Sequence, residues 1–598
     1  MNETAAPPFA AFATLAELGE RSRRLLEALA SAPAGAGELR IPDPDDIART
    51  FEEAARRLAA DPERVLRQQG QWCLEMADLW RYAMARAAGE VLEPVAVPEP
   101  GDRRFADAAW QEIPAFDFVR RAYLVTARRL RALYADLPGL DRHTQRKLDF
   151  YLRLYINAIA PSNFLATNPV VLRRAAETEG RSLLQGLAHL LEDLESGGGR
   201  LRIRTTREDL FTLGVDLATT LGKVVFRNEL MELIQYAPTT ERVYRRPLLI
   251  VPPWINKYYI LDLRPRNSFV RWVVDQGFTV FLISWVNPGP ELAHKSFEDY
   301  LVEGPLAALD AVRTQVGGRA GCNILGYCIG GTLTACLLGW LAARGERRIG
   351  AATFLTTMTD FAEPGDLGVF IDDAQIARLE AQMERCGCLD ATYMQTVFSL
   401  LRDNDLIWNF VVNNYLLGRE PPPFDLLFWN ADGTRMPCMM HRFYLRRFYL
   451  ENRLVEPGGI SLLGEPIDLG RITVPAYFLS TREDHIAPWR SCYHGARRFG
   501  GPVRFVLGRS GHIAGVVNPP ASGKYGYWTH RRPPPDPDAF LARARRHEGS
   551  WWPDWVAWLR RRSGSPVPAR DPEQGRLRPL EEAPGSYVRR RAEALPQP

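Results

Sequence analysis

Apolar residues recur three and four positions apart along the first third of the chain and gather into short contiguous runs beyond it. From Ile41 to about Arg204 the pattern is helical. Asp61-Pro-Glu-Arg-Val-Leu-Arg67 carries a helix start, with aspartate as cap and proline at the first helical position. Trp72 to Ala85 continues the three-and-four spacing, and Ser196-Gly-Gly-Gly199 marks a turn or linker. Beyond it Pro247–Val251, Thr279–Ser284, Cys322–Leu325 and Ala352–Thr356 are runs of strand length alternating with helical stretches. That alternation predicts a parallel α/β sheet. Residues 1–40, rich in Ala, Pro and Gly, read as partly disordered.

Asn323-Ile-Leu-Gly-Tyr-Cys-Ile-Gly-Gly331 is the most informative segment. A strand runs into Gly326-Tyr-Cys328-Ile-Gly330, and an apolar helix-forming run, Thr332 to Ala343, follows at once. Strand, sharp turn and helix form the nucleophile elbow of an α/β-hydrolase fold, with cysteine where serine usually stands. The helix N-terminus aimed at Cys328 favours developing negative charge. Glycines flank it because the turn is strained and the helix packs closely on the strand.

The elbow predicts an acid after a later strand and a histidine after the last one. Val474–Ser480 reads as a buried strand followed by Thr-Arg-Glu-Asp484-His485, and Val503–Leu507 as the next, followed by Gly508-Arg-Ser-Gly-His512. Cys328, Asp484 and His512 are therefore the expected triad. Among nine histidines His485 is the main rival as base, but it shares a loop with the acid and would leave His512 unexplained. Glu483 is the rival to Asp484. The oxyanion needs two backbone donors. Ile329 follows the nucleophile, and the second donor belongs to the end of the strand at Val251, because Pro252 and Pro253 have no N–H. Val251 is favoured over Trp254.

The interval from Cys328 to Asp484 exceeds what strand, helix and strand need, so Phe361 to Gly470 is an insertion with the expected role of a lid. Helices are expected at Gln375–Arg385, Tyr393–Asp403 and Leu406–Leu417, followed by the aromatic Phe424-Asp-Leu-Leu-Phe-Trp-Asn430. Trp551 to Trp558 predicts a closing helix that docks aromatics on the sheet. The expected domains are a disordered 1–40, a helical N-terminal domain 41–205, a catalytic α/β-hydrolase domain 206–562 with its lid at about 361–470, and a Pro/Arg-rich tail 563–598.

Composition narrows the chemistry. Lys plus Arg is 75 and Asp plus Glu is 71, a formal charge of +4 that argues against a dedicated nucleic-acid protein. The longest apolar stretch, Phe269 to Val286, is broken by Arg271, Asp275 and Gln276, so no transmembrane segment is expected. Eight cysteines without a secretory leader point to a reduced, cytoplasmic chain. Cys73, Cys322, Cys336, Cys438 and Cys492 read as small core residues. Cys386-Gly-Cys388 resembles half a metal site without a second pair at ligand spacing, so neither metal nor cofactor is expected. A cysteine acyl-enzyme is a thioester, so exchange with a thioester such as an acyl-CoA is nearly balanced in energy and keeps the acyl group activated for an alcohol.

Gly326-Tyr-Cys-Ile-Gly-Gly-Thr332, Ile250-Val-Pro-Pro-Trp-Ile-Asn-Lys-Tyr-Tyr-Ile-Leu-Asp262, Phe424–Asn430, Arg482-Glu-Asp-His-Ile-Ala-Pro-Trp489 and Ser510-Gly-His-Ile-Ala-Gly-Val-Val-Asn-Pro-Pro520 resemble the polyhydroxyalkanoate synthases over roughly residues 90 to 560. The resemblance implies Cys328, Asp484 and His512 as catalytic residues and the single-subunit class that prefers short-chain (R)-3-hydroxyacyl-CoA such as 3-hydroxybutyryl-CoA. It also implies a polyester product, a homodimer and attachment to polyester granules. The alternative is a cysteine-dependent hydrolase of the dienelactone hydrolase type, which shares the elbow but resembles one small domain without lid or N-terminal region.

Overall fold

The computed structural model describes residues 17–21, 23–24, 41–318 and 321–592. The disorder expected for residues 1–40 falls outside them, except for a helical stretch at 17–21 and 23–24. The chain forms two compact units, one of Met1–Arg207 with Thr396–Pro423 and one of Glu208–Gln395 with Phe424–Pro598.

The first unit is helical. Pro44–Ala59, Pro62–Ala87, Pro114–Tyr134, Arg142–Ala158, Pro169–Glu177 and Arg181–Ser196 are its longer helices. The cap expected at Asp61 forms, accepting the Arg64 N–H at 3.0 Å. One core gathers Phe105, Trp110, Tyr123, Leu152 and Ile156, and a second gathers Ala54, Leu58, Leu137 and Leu148.

Residues 396–423 come from the insertion, so the lid expected over 361–470 is not one body. Asn157 Nδ2 donates to Asp403 at 3.1 Å, His189 Nδ1 lies 3.1 Å from the Asn414 carbonyl, and the Tyr415 hydroxyl donates to Asp193 at 2.6 Å. A Cβ on Gly186 would stand 1.9 Å from the Tyr415 carbonyl, so only glycine allows this approach. The helix expected at Leu406–Leu417 is wound instead as π-turns, Asn404–Trp408 and Val411–Leu416. The wider turn lets the consecutive Asn414 and Tyr415 both point inward.

The second unit is built on an eleven-stranded sheet. We number its strands in chain order: β1 Gly222–Arg227, β2 Met231–Tyr236, β3 Leu248–Val251, β4 Val280–Trp285, β5 Cys322–Tyr327, β6 Ile349–Leu355, β7 Ala476–Thr481, β8 Val503–Gly508, β9 Gly526–Thr529, β10 Arg545–Glu548 and β11 Glu581–Glu582. Their spatial order is β10-β9-β8-β7-β6-β5-β3-β4-β2-β1-β11. The run from β4 to β8 is parallel and the strands outside it pair antiparallel. All six parallel strands match runs expected from sequence. β10 is Arg-Arg-His-Glu, which has no apolar alternation to announce it.

The tail expected after Arg562 is corrected for the residues described. Pro566–Pro568 pairs with Arg242–Tyr244, β11 covers the edge of β1, and Tyr587 and Val588 are buried. Two needs draw this segment in. An edge strand presents unpaired backbone groups, and the fully buried Glu232 carboxylate accepts from the Ser586 hydroxyl at 2.8 Å and the Tyr587 N–H at 3.1 Å. Among the described residues no helix is long and apolar enough to cross a membrane.

Candidate active site

β5 ends at Tyr327 and the helix Ile329–Ala343 begins two residues later, leaving Cys328 alone in the turn. Its φ of 54° and ψ of −125° lie in a region that non-glycine residues rarely occupy. The strain is held by the Cys328 N–H, which donates to the Leu355 carbonyl at 2.9 Å, and by its carbonyl, which accepts from Gly331 and Thr332. A Cβ at Gly326 would meet the Gly331 Cα at 2.4 Å, and one at Gly330 would meet the Val251 carbonyl at 2.3 Å. These are the close packings that require glycine on both sides of Cys328.

Asp484 and His512 leave the ends of β7 and β8, which are adjacent and parallel. The Arg482 and Glu483 N–H groups donate to the Gly508 and Ser510 carbonyls at 2.8 and 2.9 Å, stitching the two loops together. Asp484 Oδ1 accepts the N–H groups of Ile486 at 2.9 Å and Ala487 at 2.8 Å, which leaves Oδ2 to His512 Nδ1 at 2.7 Å. Glu483 is exposed, whereas Asp484 is buried. His485 is half-buried on the acid's own loop.

Burial opposes charge on His512, but the Asp484 carboxylate and the neighbouring Cys328, which also hydrogen-bonds the ring, outweigh it and push the imidazole up to about 10. A cation held against sulfur is the setting in which cysteine reacts as thiolate. The other cysteines differ. Burial pushes Cys322 up to about 12 and Cys388 up to about 11, and drives Cys336 and Cys492 higher, which keeps these thiols protonated and inert. Cys73, expected in the core, is exposed on the helix Pro62–Ala87. Among the described residues no group of three or more His, Cys, Asp or Glu is placed to hold a metal ion.

The two expected oxyanion donors differ in what the fold does with their N–H groups. Ile329 is the first residue of the helix, where an N–H has no intrahelical acceptor. Val251 is corrected as a donor: its parallel pairing opposite Gly326, with Pro252 unable to donate, takes the Val251 N–H to the Leu325 carbonyl, and Trp254 carries the next backbone N–H along the loop.

Several contacts around Cys328, Asp484 and His512 escaped sequence reasoning. The Tyr327 ring stacks on His512 at 5.7 Å, and its hydroxyl donates to the His512 carbonyl at 3.3 Å. Trp551 and Trp552 donate from their indoles to the Gly515 and Val516 carbonyls at 3.0 and 2.9 Å, pinning the segment after His512. Tyr444 is buried and Tyr449 half-buried; desolvation pushes both phenols up, with Tyr449 adding to Tyr444 and Cys328 to both, so this aromatic cluster of the insertion lies within electrostatic reach of Cys328. It packs on Phe361, which stacks with Phe448 at 5.8 Å. The aromatic density of residues 443–449 was the available signal, and their inward direction was not. Tyr444–Leu450 is a further π-wound stretch, a feature frequent at functional sites.

Comparison with known proteins gives two family matches. Residues 101–273 match the model described as Poly-beta-hydroxybutyrate polymerase (PhaC) N-terminus, and residues 247–519 match the alpha/beta hydrolase fold. The chain is 49% identical over 549 residues to a poly(3-hydroxyalkanoate) polymerase of Methylorubrum extorquens, covering 92% of this chain and 90% of that one. It is 47% identical to a poly(3-hydroxyalkanoate) polymerase subunit PhaC of Rhizobium meliloti, covering 92% and 89% of the two chains. The corresponding protein of Cupriavidus necator is 44% identical, covering 88% of each chain.

Proposed function

This chain belongs to the poly(3-hydroxyalkanoate) polymerases, and we propose that it builds its polyester through an acyl chain carried on Cys328. It is an acyltransferase that polymerises hydroxyacyl units into polyhydroxyalkanoate. The observation that carries the cysteine route is His512, fixed 2.7 Å from Asp484 and pulled into its charged form by Asp484 and Cys328 together.

In the first half-reaction His512 takes the Cys328 proton and the sulfur attacks the thioester carbonyl of a (R)-3-hydroxyacyl-CoA, of which 3-hydroxybutyryl-CoA is the short-chain case. The tetrahedral oxyanion is met by the N–H groups of Ile329 and Trp254, since the pairing of β3 takes the Val251 N–H. Collapse breaks the carbon–sulfur bond to CoA, whose thiolate takes the proton from His512, and leaves an acyl thioester on Cys328. In the second half-reaction a 3-hydroxyl group gives its proton to His512 and attacks that thioester. An ester forms, and Cys328 leaves as thiolate and regains the proton. Asp484 holds one imidazole tautomer throughout.

The same reading carries a cytoplasmic homodimer working at a polyester granule surface. In its support, Leu66, Gly70, Cys73, Ala77, Trp80 and Met84 are all exposed and follow one face of the helix Pro62–Ala87, a stripe suited to an apolar partner. The test of function is to add the protein to 3-hydroxybutyryl-CoA. Released CoA with insoluble polyester is expected. Released CoA with only soluble 3-hydroxybutyrate would make the chain a hydrolase and overturn the proposal.

A further inference from the structure

The helix Asp425–Ala431 of the insertion is clamped at both ends to the segment that follows β3. At its start the Asp425 carboxylate accepts from Asn267 Nδ2 at 3.1 Å and lies 3.5 Å from Arg264 Nε. At its end the Asp432 carboxylate stands 2.7 Å from Lys257 Nζ and accepts the Tyr259 hydroxyl at 2.9 Å. Between these ends Trp429 Nε1 donates to the Lys257 carbonyl at 2.7 Å, and just beyond them the Thr434 N–H donates to the Ile255 carbonyl at 3.1 Å. The Thr434 hydroxyl donates to the Trp254 carbonyl.

The Lys257–Asp432 pair is the costly part of this clamp. Its side chains are 2% and 6% exposed. Burial pushes the Lys257 amine down, and only Asp432 pulls it back. A desolvated ion pair adds little stability over apolar side chains of the same shape, so its use points to a geometric purpose. The geometry at stake is close by. Lys257 ends the loop that begins at Val251, and the Val251 and Pro252 carbonyls lie where a Cβ on Gly330 would be 2.3 and 2.6 Å from them. The loop therefore rests on the first turn of the nucleophile helix. Its other anchor is Trp285 Nε1, which donates to the Pro252 carbonyl at 2.9 Å.

We propose that Lys257 and Asp432 are positioning residues for the acylation of Cys328, holding the Val251–Lys257 loop where its backbone meets the developing oxyanion. The insertion thereby completes the oxyanion hole from behind, through a contact remote from the acyl group. This rests on the assignment of Cys328 and Trp254 given above.

The experiment is single-turnover acylation of the full chain by 3-hydroxybutyryl-CoA, followed by intact mass. Two variants are compared with wild type, Lys257→Met and the neutral pair Lys257→Met/Asp432→Asn, which leaves Tyr259 its acceptor. Misplacement by about 1 Å costs about 100-fold in rate, so acylation is expected to slow by about that factor in Lys257→Met and at least about 10-fold in the pair, with half-saturation moved less than about threefold. A purely structural role would lower the folded fraction and leave the rate per folded molecule unchanged. Should Lys257→Met not fold, the neutral pair decides. If the pair has a wild-type melting point and acylates within about threefold of the wild-type rate, the proposal is overturned, as it is by a loss confined to half-saturation. Cys328→Ala separates the two assignments. Acylation that persists in it removes the nucleophile and leaves the clamp without a reaction to serve, whereas acylation lost in it but intact in both clamp variants removes the clamp alone.

Discussion

Cys328, Asp484 and His512 each stand within a few residues of a strand end, whereas the insertion from Phe361 to Gly470 is shared between two compact units. The proposed triad is held by the shortest possible means. Three parallel strands deliver three turns, and backbone hydrogen bonds between the Asp484 and His512 loops set the carboxylate against the imidazole. The insertion is held by dispersed means. Its middle, 396–423, meets Asp193, His189 and Asn157 of the helical unit, while its later part places Tyr444, Tyr449 and the Asp432 clamp in the catalytic unit. The proposed chemistry is thus concentrated where the backbone itself dictates geometry. The proposed positioning role falls to a segment whose anchors lie far away in sequence.

If the triad is the concentrated element, cutting it has the largest effect. Cys328→Ala is expected to abolish polymer formation, and Cys328→Ser to lose on the order of 10⁴-fold or more, because a hydroxyl is a far weaker nucleophile at its own pKa. Polymerisation near the wild-type rate in Cys328→Ala would end the comparison. Next comes Asp484→Asn, expected to lower the rate by about 10³- to 10⁴-fold through the wrong imidazole tautomer. Combined with His512→Ala it should cost little more than the worse single change, since the residues act as one unit. Rates that multiply, or a larger loss from His485→Ala than from His512→Ala, would show that the wrong residues were joined.

The dispersed element should fail locally rather than chemically. Asp193→Ala strips Tyr415 and Arg204 of a buried carboxylate, which typically costs about 3 kcal/mol. Protease cleavage between 396 and 423 is the expected readout, with Cys328 acylation in the intact fraction unchanged. Cleavage no faster than in wild type would mean the helical unit does not hold that segment.

The pH dependence follows from His512. Its folded-state pKa is raised to about 10 by Asp484 and Cys328 against burial, so its contribution to stability is fully present below the unfolded value of about 6.5. It shrinks above that pH and is gone once pH has passed through the folded value. The melting point should fall across this window more steeply in wild type than in His512→Ala. Equal slopes would remove the ion-pair description. The smallest effect is expected from Tyr327→Phe, which deletes one hydrogen bond to the His512 carbonyl and keeps the stacked ring. A loss of about 1 kcal/mol in stability and under about 10-fold in rate is expected, and a larger rate loss would give the hydroxyl a part in the chemistry.

The parallel strands, the elbow and the order Cys328, Asp484, His512 were determined by the sequence alone, because each depends on contacts within a few residues. An apolar run makes a strand, a flanking glycine admits the turn, and a chemically apt residue follows the strand end. Tertiary structure decided what depends on distant partners. No local pattern says that Tyr444 and Tyr449 turn toward Cys328, that residues 396–423 fold with the helical unit, or that Lys257 is neutralised by Asp432. The segment after Arg562 looked like a solvated tail, since its proline and arginine content carries no strand or helix period. It was drawn in by needs that exist only in the folded chain, an open edge at β1 and a buried Glu232 carboxylate whose Oε2 the local Arg227 does not reach. Local geometry can be read from neighbours in sequence, but the satisfaction of buried polar groups is settled only once the whole chain has closed around them.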